Sequence, residues 1–296
     1  MSRMPRSVWR FAAGTVAVAA FAACSTSTAP NSMLTQAEAN NVAEVVTTDA
    51  AALPEGATFN SSTGTPFAAG PMLGAPVMPT TSASCTPTKS PASPTNSDGD
   101  PVPDSVRVDF TGCTFTNTPY TATLSGTIDF VDPTPTTTDM ALRTRYTDFT
   151  RSVTNTVTNL TRSVKENGTR MVVGSADALQ LADTIQTDYT FATGGTATHV
   201  RKWASSFTAD QAGSIQMGSP LPSGTWTING ASTWTSGTLS YALAVTTNPA
   251  LHFNASCTVE PRFDSGTLMA TVSRNGVTSN VTVQFTACGQ YTVTRS

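Results

Sequence analysis

From residue 105 onward apolar side chains recur at every second position, and that period constrains the fold more than any other feature. Val106, Val108 and Phe110 alternate with Arg107 and Asp109. Tyr120, Ala122, Leu124, Gly126, Ile128 and Phe130 form a second run. Leu179, Leu181, Ile185, Tyr189 and Phe191 share one face of a third, interrupted by Asp183. Leu239, Tyr241, Leu243 and Val245 follow, then Leu251, Phe253, Ala255 and Val259, then Val281, Val283 and Phe285. An apolar residue at every second position marks a strand with one buried and one wet face. The wet positions are filled more often by threonine than by charge. The chain holds 55 threonines in 296 residues, while only 12% of residues are charged. Threonine is β-branched and suits a pleated surface. About ten such strands must curl or split into two layers. The expectation is a mainly β, antiparallel architecture, either a curved sheet, an open barrel or a sandwich, carrying one N-terminal amphipathic helix.

That helix is expected over residues 35–53. Thr35-Gln36-Ala37-Glu38 has the form of a capping box, in which hydroxyl and carboxylate satisfy the first free amides. Ala39, Val42, Val46, Ala50 and Leu53 then recur at helical spacing, and Pro54 and Gly56 are expected to stop it. Residues 54–104 are rich in proline and read as a loop-dominated connection, with a short strand near Ala57-Thr58-Phe59. Residues 105–296 form the β domain. Asn167-Gly168, Asn229-Gly230 and Asn275-Gly276 carry the signal of two-residue hairpin turns. Residues 140–165, where Thr150-Arg151-Ser152-Val153 recurs as Thr161-Arg162-Ser163-Val164, are open to either helix or strand.

The N-terminus carries a different message. Arg3, Arg6 and Arg10 precede an apolar run from Phe11 to Ala23, too short for a permanent membrane span. The run ends Phe21-Ala22-Ala23-Cys24, which resembles the lipobox of bacterial lipoproteins. The resemblance implies removal of residues 1–23 and acylation of Cys24, with residues 24–34 as a polar tether. Two or three acyl chains give stable anchoring. Ser25 after the cysteine favours the outer membrane by the same resemblance. The partner so implied is a membrane, in the cell envelope.

Four further cysteines remain: Cys85, Cys113, Cys257 and Cys288. An even count in an exported chain reads as two disulfides, with three pairings open. Repeated context favours Cys85–Cys113 and Cys257–Cys288. Ser84-Cys85-Thr86 matches Ser256-Cys257-Thr258, and Phe110-Thr111-Gly112-Cys113 matches Phe285-Thr286-Ala287-Cys288. In a plain three-stranded meander the second pair would sit about 10 Å apart, beyond the reach of a disulfide, so a bulge or a crossing loop has to close the gap.

Asn96-Ser97-Asp98-Gly99-Asp100 followed by Asp104 resembles the calcium loop of thrombospondin type 3 repeats. The resemblance implies Asn96, Asp98, Asp100 and Asp104 as calcium ligands; a solvated acidic turn is the alternative. Catalytic material is scarce. His199 and His252 are the only histidines, each expected at the surface without a partner, and there is no Gly-x-Ser-x-Gly elbow. Trp203, Trp226 and Trp234 are expected to pack in the core. A net charge of −3 without basic clusters argues against nucleic acid. These features point to a non-catalytic envelope lipoprotein with a structural or interaction role, touching other envelope proteins. The alternative is a carrier of lipid or another hydrophobic ligand.

Overall fold

The alternating segments pair in sequence order, as short turns between neighbouring strands dictate. The computed structural model describes residues 34–57, 87–100, 102–117, 119–192, 194–216, 219–237 and 239–296. Among them one helix, α1 (Gln36–Gly56), precedes the strands β1 (Thr88–Ser90), β2 (Ser105–Asn117), β3 (Tyr120–Val131), β4 (Met140–Asn155) and β5 (Leu160–Gly174). Then come β6 (Ala178–Thr190), β7 (Thr196–Ala209), β8 (Gly224–Ser236), β9 (Leu239–Thr247) and β10 (Leu251–Phe253). The chain ends with β11 (Phe263–Arg274), β12 (Val277–Ala287) and β13 (Gln290–Arg295). All described strands belong to one antiparallel sheet whose order follows the sequence. The mainly β expectation, with a single N-terminal helix, is met. β9 and β10 lie end to end between β8 and β11, so they are one track broken at Asn248-Pro249-Ala250. The proposed strand near Thr58 lies outside the described residues.

The helix begins as its sequence demands. The Thr35 amide donates to the Glu38 carboxylate at 2.8 Å, and the Glu38 amide donates to the Thr35 hydroxyl at 3.2 Å. Pro54 does not stop it. The proline forfeits one amide bond in the last turn, and the helix runs on until the Ala57 amide closes onto the Leu53 carbonyl at 3.0 Å. Ala39, Val42, Ala43, Val46, Ala50 and Leu53 are buried in the same core as the inward residues of the sheet. At one end, Arg274 of β11 donates to Glu38 at 2.6 Å, and Arg295 of β13 donates to the Leu34 carbonyl.

Two of the three Asn-Gly pairs are not turns. Asn275-Gly276 joins β11 to β12 with positive φ at both residues, as a tight hairpin requires. Asn167-Gly168 and Asn229-Gly230 lie inside β5 and β8. There glycine answers a need for space: a Cβ on Gly230 would stand 2.5 Å from the Lys202 carbonyl oxygen and 2.7 Å from the Trp203 Cα. Residues 140–165 form the β4–β5 hairpin, in which Val153 faces Arg162 and Ser152 faces Ser163.

The inner face is filled by its own side chains. Phe207 packs on Trp226 with ring centroids 5.1 Å apart, and contacts continue through Phe253, Phe263 and Phe285 to Tyr291. Trp203, Trp226 and Trp234 are all buried, as expected of core residues. On the outer face hydroxyls pair across strands, Ser206 with Thr227 and Thr154 with Thr161.

Candidate functional site

Three groups of ionisable residues stand out, built from strands, from the helix and from the loops at strand ends.

The first lies beneath α1. Asp183 interrupts the apolar face of β6, yet it keeps its inward parity and is only 3% exposed. Arg170 of β5 and Arg201 of β7 flank it, also buried. Arg170 meets the carboxylate with two bonds, Nε at 2.7 Å and Nη2 at 3.0 Å, and Arg201 Nη2 lies 3.1 Å away. Burial works against the Asp183 carboxylate, but the two guanidinium groups overcome it and hold its pKa below the usual range. Arg201 also donates to Asp49 of the helix at 2.5 Å, and Arg170 reaches the Ala52 carbonyl at 3.4 Å. Any other seating of the helix would leave Arg201 with one partner fewer in a dry interior, so these contacts fix how α1 docks. His199 belongs to this group. It is 1% exposed, against Trp234, with Nε2 3.4 Å from Asp49. The surface placement expected for it is therefore wrong: His199 shares inward parity with Ala197, Arg201 and Trp203 on β7. Burial pushes its pKa down; Asp49 opposes this and Arg201 adds to it.

The second group centres on His252, which does face outward. Its Nδ1 lies 2.7 Å from Asp264 and its Nε2 3.0 Å from Asp210. Partial burial disfavours the charged ring, but the two carboxylates outweigh it and raise the pKa. In its charged form the ring donates from both nitrogens and has no lone pair left to take a proton from a substrate.

The third is the acidic loop before β2. Among the expected ligands, Asn96 and Asp104 act as struts. Asn96 Oδ1 accepts from the Gly99 amide at 2.8 Å, and Asp104 accepts from the Ser97 amide at 2.8 Å and hydroxyl at 2.6 Å. Asp98 and Asp100 turn the other way and meet a residue that the loop sequence does not contain, Asp132, just past β3. Oxygens from Asp98, Asp100 and Asp132 lie within 4.8 Å of one another. In each carboxylate Oδ1 is occupied, by the Asp100, Val102 and Thr134 amides respectively. In each, Oδ2 is buried without a hydrogen-bond partner. Burial raises the Asp100 pKa; the Val102 amide opposes this, and Asp98, Asp132 and Asp139 push it up further. Asp132 stands outside the expected ligand set because it lies far along the chain. Its signal was parity: it continues the inward series Leu124, Ile128, Phe130.

Cys257 and Cys288 are bonded, with Cα atoms 5.7 Å apart. A crossing loop closes the gap: β10 ends at Phe253, and the chain over 254–262 swings to the turn between β12 and β13, where the Gly289 amide donates to the Pro261 carbonyl at 2.9 Å. Cys113 is buried and disulfide-bonded. Cys24 and Cys85 lie outside the described residues, so the Cys85–Cys113 pairing is not described. No helix among the described residues is long and apolar enough to cross a membrane. No protein-family model, curated protein or solved structure matches the chain.

Proposed function

We propose that the protein is a non-catalytic lipoprotein of the cell envelope, tethered through Cys24, with a structural or interaction role. The observation that carries this reading is the filled inner face of the sheet. The face that would line a ligand cavity is occupied by Trp226, Phe207, Phe253 and Phe263, all fully buried against one another. This packing favours a rigid support over a carrier of lipid or another hydrophobic ligand. The ionisable groups support the same reading. The Arg170–Asp183–Arg201–Asp49 network is spent on seating the helix, and His252 has both nitrogens committed to carboxylates. The outer surface supports an interaction role. Its many threonine hydroxyls keep the sheet wet with little charge, and hydroxyls cost less to strip of water than charges do when a partner covers them.

The test is made on full-length protein purified from membranes of cells fed an alkyne palmitate analogue. The expected result is covalent label on wild type, none on Cys24→Ser, and no stoichiometric lipid released by organic extraction without hydrolysis. Equal label on both proteins would remove the anchor. One extractable lipid per chain would replace this reading with the carrier.

A further inference from the structure

We propose that Asp98, Asp100 and Asp132 form a calcium site that staples the loop before β2 to the end of β3.

The three carboxylates come from two separate stretches of chain and converge within 4.8 Å. Three points no farther apart than that all lie within about 2.8 Å of a common centre, close to the 2.3–2.6 Å of calcium–oxygen bonds and looser than the 2.0–2.1 Å that magnesium demands. The donors are carboxylate oxygens, the ligands that hard cations prefer.

Convergence of acidic groups alone would be weak ground, since such groups are common at surfaces. The second observation is the state of the free oxygens. Asp132 is 3% exposed, and its Oδ2 is buried with no hydrogen-bond partner; the same is true of the Oδ2 atoms of Asp98 and Asp100. A buried carboxylate oxygen normally has a donor. Among the described residues four have none; one, on Asp49, has His199 Nε2 3.4 Å away, and the other three belong to this one cluster. The opposite oxygen of each is held by an amide, which fixes the direction of the carboxylate before any ion arrives. A divalent cation supplies what the loop lacks, a positive partner for three like charges taken from water.

This ligand set differs from that of the thrombospondin-type loop. Asn96 and Asp104 serve the loop's own hydrogen bonds, and the third carboxylate comes from beyond β3. The ion therefore ties the loop to the sheet rather than closing a loop on itself. The Asp104 carbonyl already accepts from the Asp132 amide at 3.2 Å, so the two segments are in register.

The experiment is thermal denaturation and equilibrium dialysis of the full chain with 45Ca. For an affinity of roughly 0.1–1 mM, the range of extracellular oxygen-ligand sites, about 5 mM calcium should raise Tm by roughly 2–9 °C over chelator. One calcium should be retained per chain. Asp132→Asn keeps the Thr134 hydrogen bond and should lose both effects. Asp98→Asn, at a half-exposed position, should lose them too and stands in if Asp132→Asn fails to fold. Asp129→Asn, an equal charge change on β3 itself and outside the cluster, should keep both. No retained calcium on wild type, or unchanged binding in Asp98→Asn, overturns the proposal. Binding lost in Asp104→Asn but kept in Asp98→Asn would restore the thrombospondin-like ligand set and overturn this one.

Discussion

Asp183→Ala is the most informative perturbation of the fold, because it strands two buried guanidinium groups at once. Arg170 would lose both charge-assisted bonds, at 2.7 and 3.0 Å, and keep only the weak 3.4 Å contact with the Ala52 carbonyl. Arg201 would lose one of its two carboxylate partners and keep Asp49. Removing one member of a buried ion pair costs about 3–5 kcal/mol, mostly through the charge left behind. For a domain of this size each kcal/mol moves Tm by about 2–4 °C, so a fall of roughly 6–20 °C is expected. The comparison variant is Asp129→Ala. Its partner Arg107 is 59% exposed and can rehydrate, so the loss should stay within about 1 kcal/mol. The assay is thermal and urea denaturation, each followed by tryptophan fluorescence. Trp203 stacks beside Arg201, so the probe reports the affected layer. A third variant, Arg170→Met, isolates the stranded charge. In that background Asp183→Ala should cost less, by one to a few kcal/mol in a double-mutant cycle. If Asp183→Ala and Asp129→Ala cost the same, or if the cycle shows no coupling, the network does not hold the helix.

Three more outcomes follow from other parts of the molecule. His252 has a folded pKa above its ordinary 6.5, so its pairing with Asp210 and Asp264 contributes fully below that pH and is lost as pH rises through the raised value. Urea midpoints between pH 5 and 9 should show that decline, within about 1 kcal/mol for so exposed a group, and His252→Gln should flatten it. Gly230→Ala forces a methyl against the Lys202 carbonyl and the Trp203 backbone, and should cost about 1–3 kcal/mol, whereas Gly237→Ala meets no atom within 4 Å and pays only for its positive φ. Opening the Cys257–Cys288 bond by Cys288→Ser releases a 31-residue loop, worth about 3–4 kcal/mol in the chain-entropy description, measurable as a lower Tm under oxidising conditions and no difference from wild type under reduction.

Whatever depends on near neighbours is legible in the chain alone. The period of two specified strands and which side chains face inward, because successive side chains point to opposite faces of a pleated chain. Thr35 and Glu38 specified the start of α1, because a capping box needs only four residues. Asn275-Gly276 specified its hairpin. Tertiary structure decided whatever depends on a partner strand. Asn167-Gly168 and Asn229-Gly230 look like turns locally, but at 168 and 230 glycine is needed because a neighbouring backbone comes too close for a Cβ. Pro54 sits in a last helical turn because the packed faces of Val46, Ala50 and Leu53 outweigh one lost amide bond. His199 has no visible partner in its own strand; Asp49 reaches it from a helix 150 residues earlier. Asp132 joins Asp98 and Asp100 only after β2 and β3 have paired antiparallel and brought 104 beside 132. For His199 and Asp132 inward parity could be read from the chain, but the group waiting on the inside could not, because a period of two fixes direction and says nothing of what lies opposite.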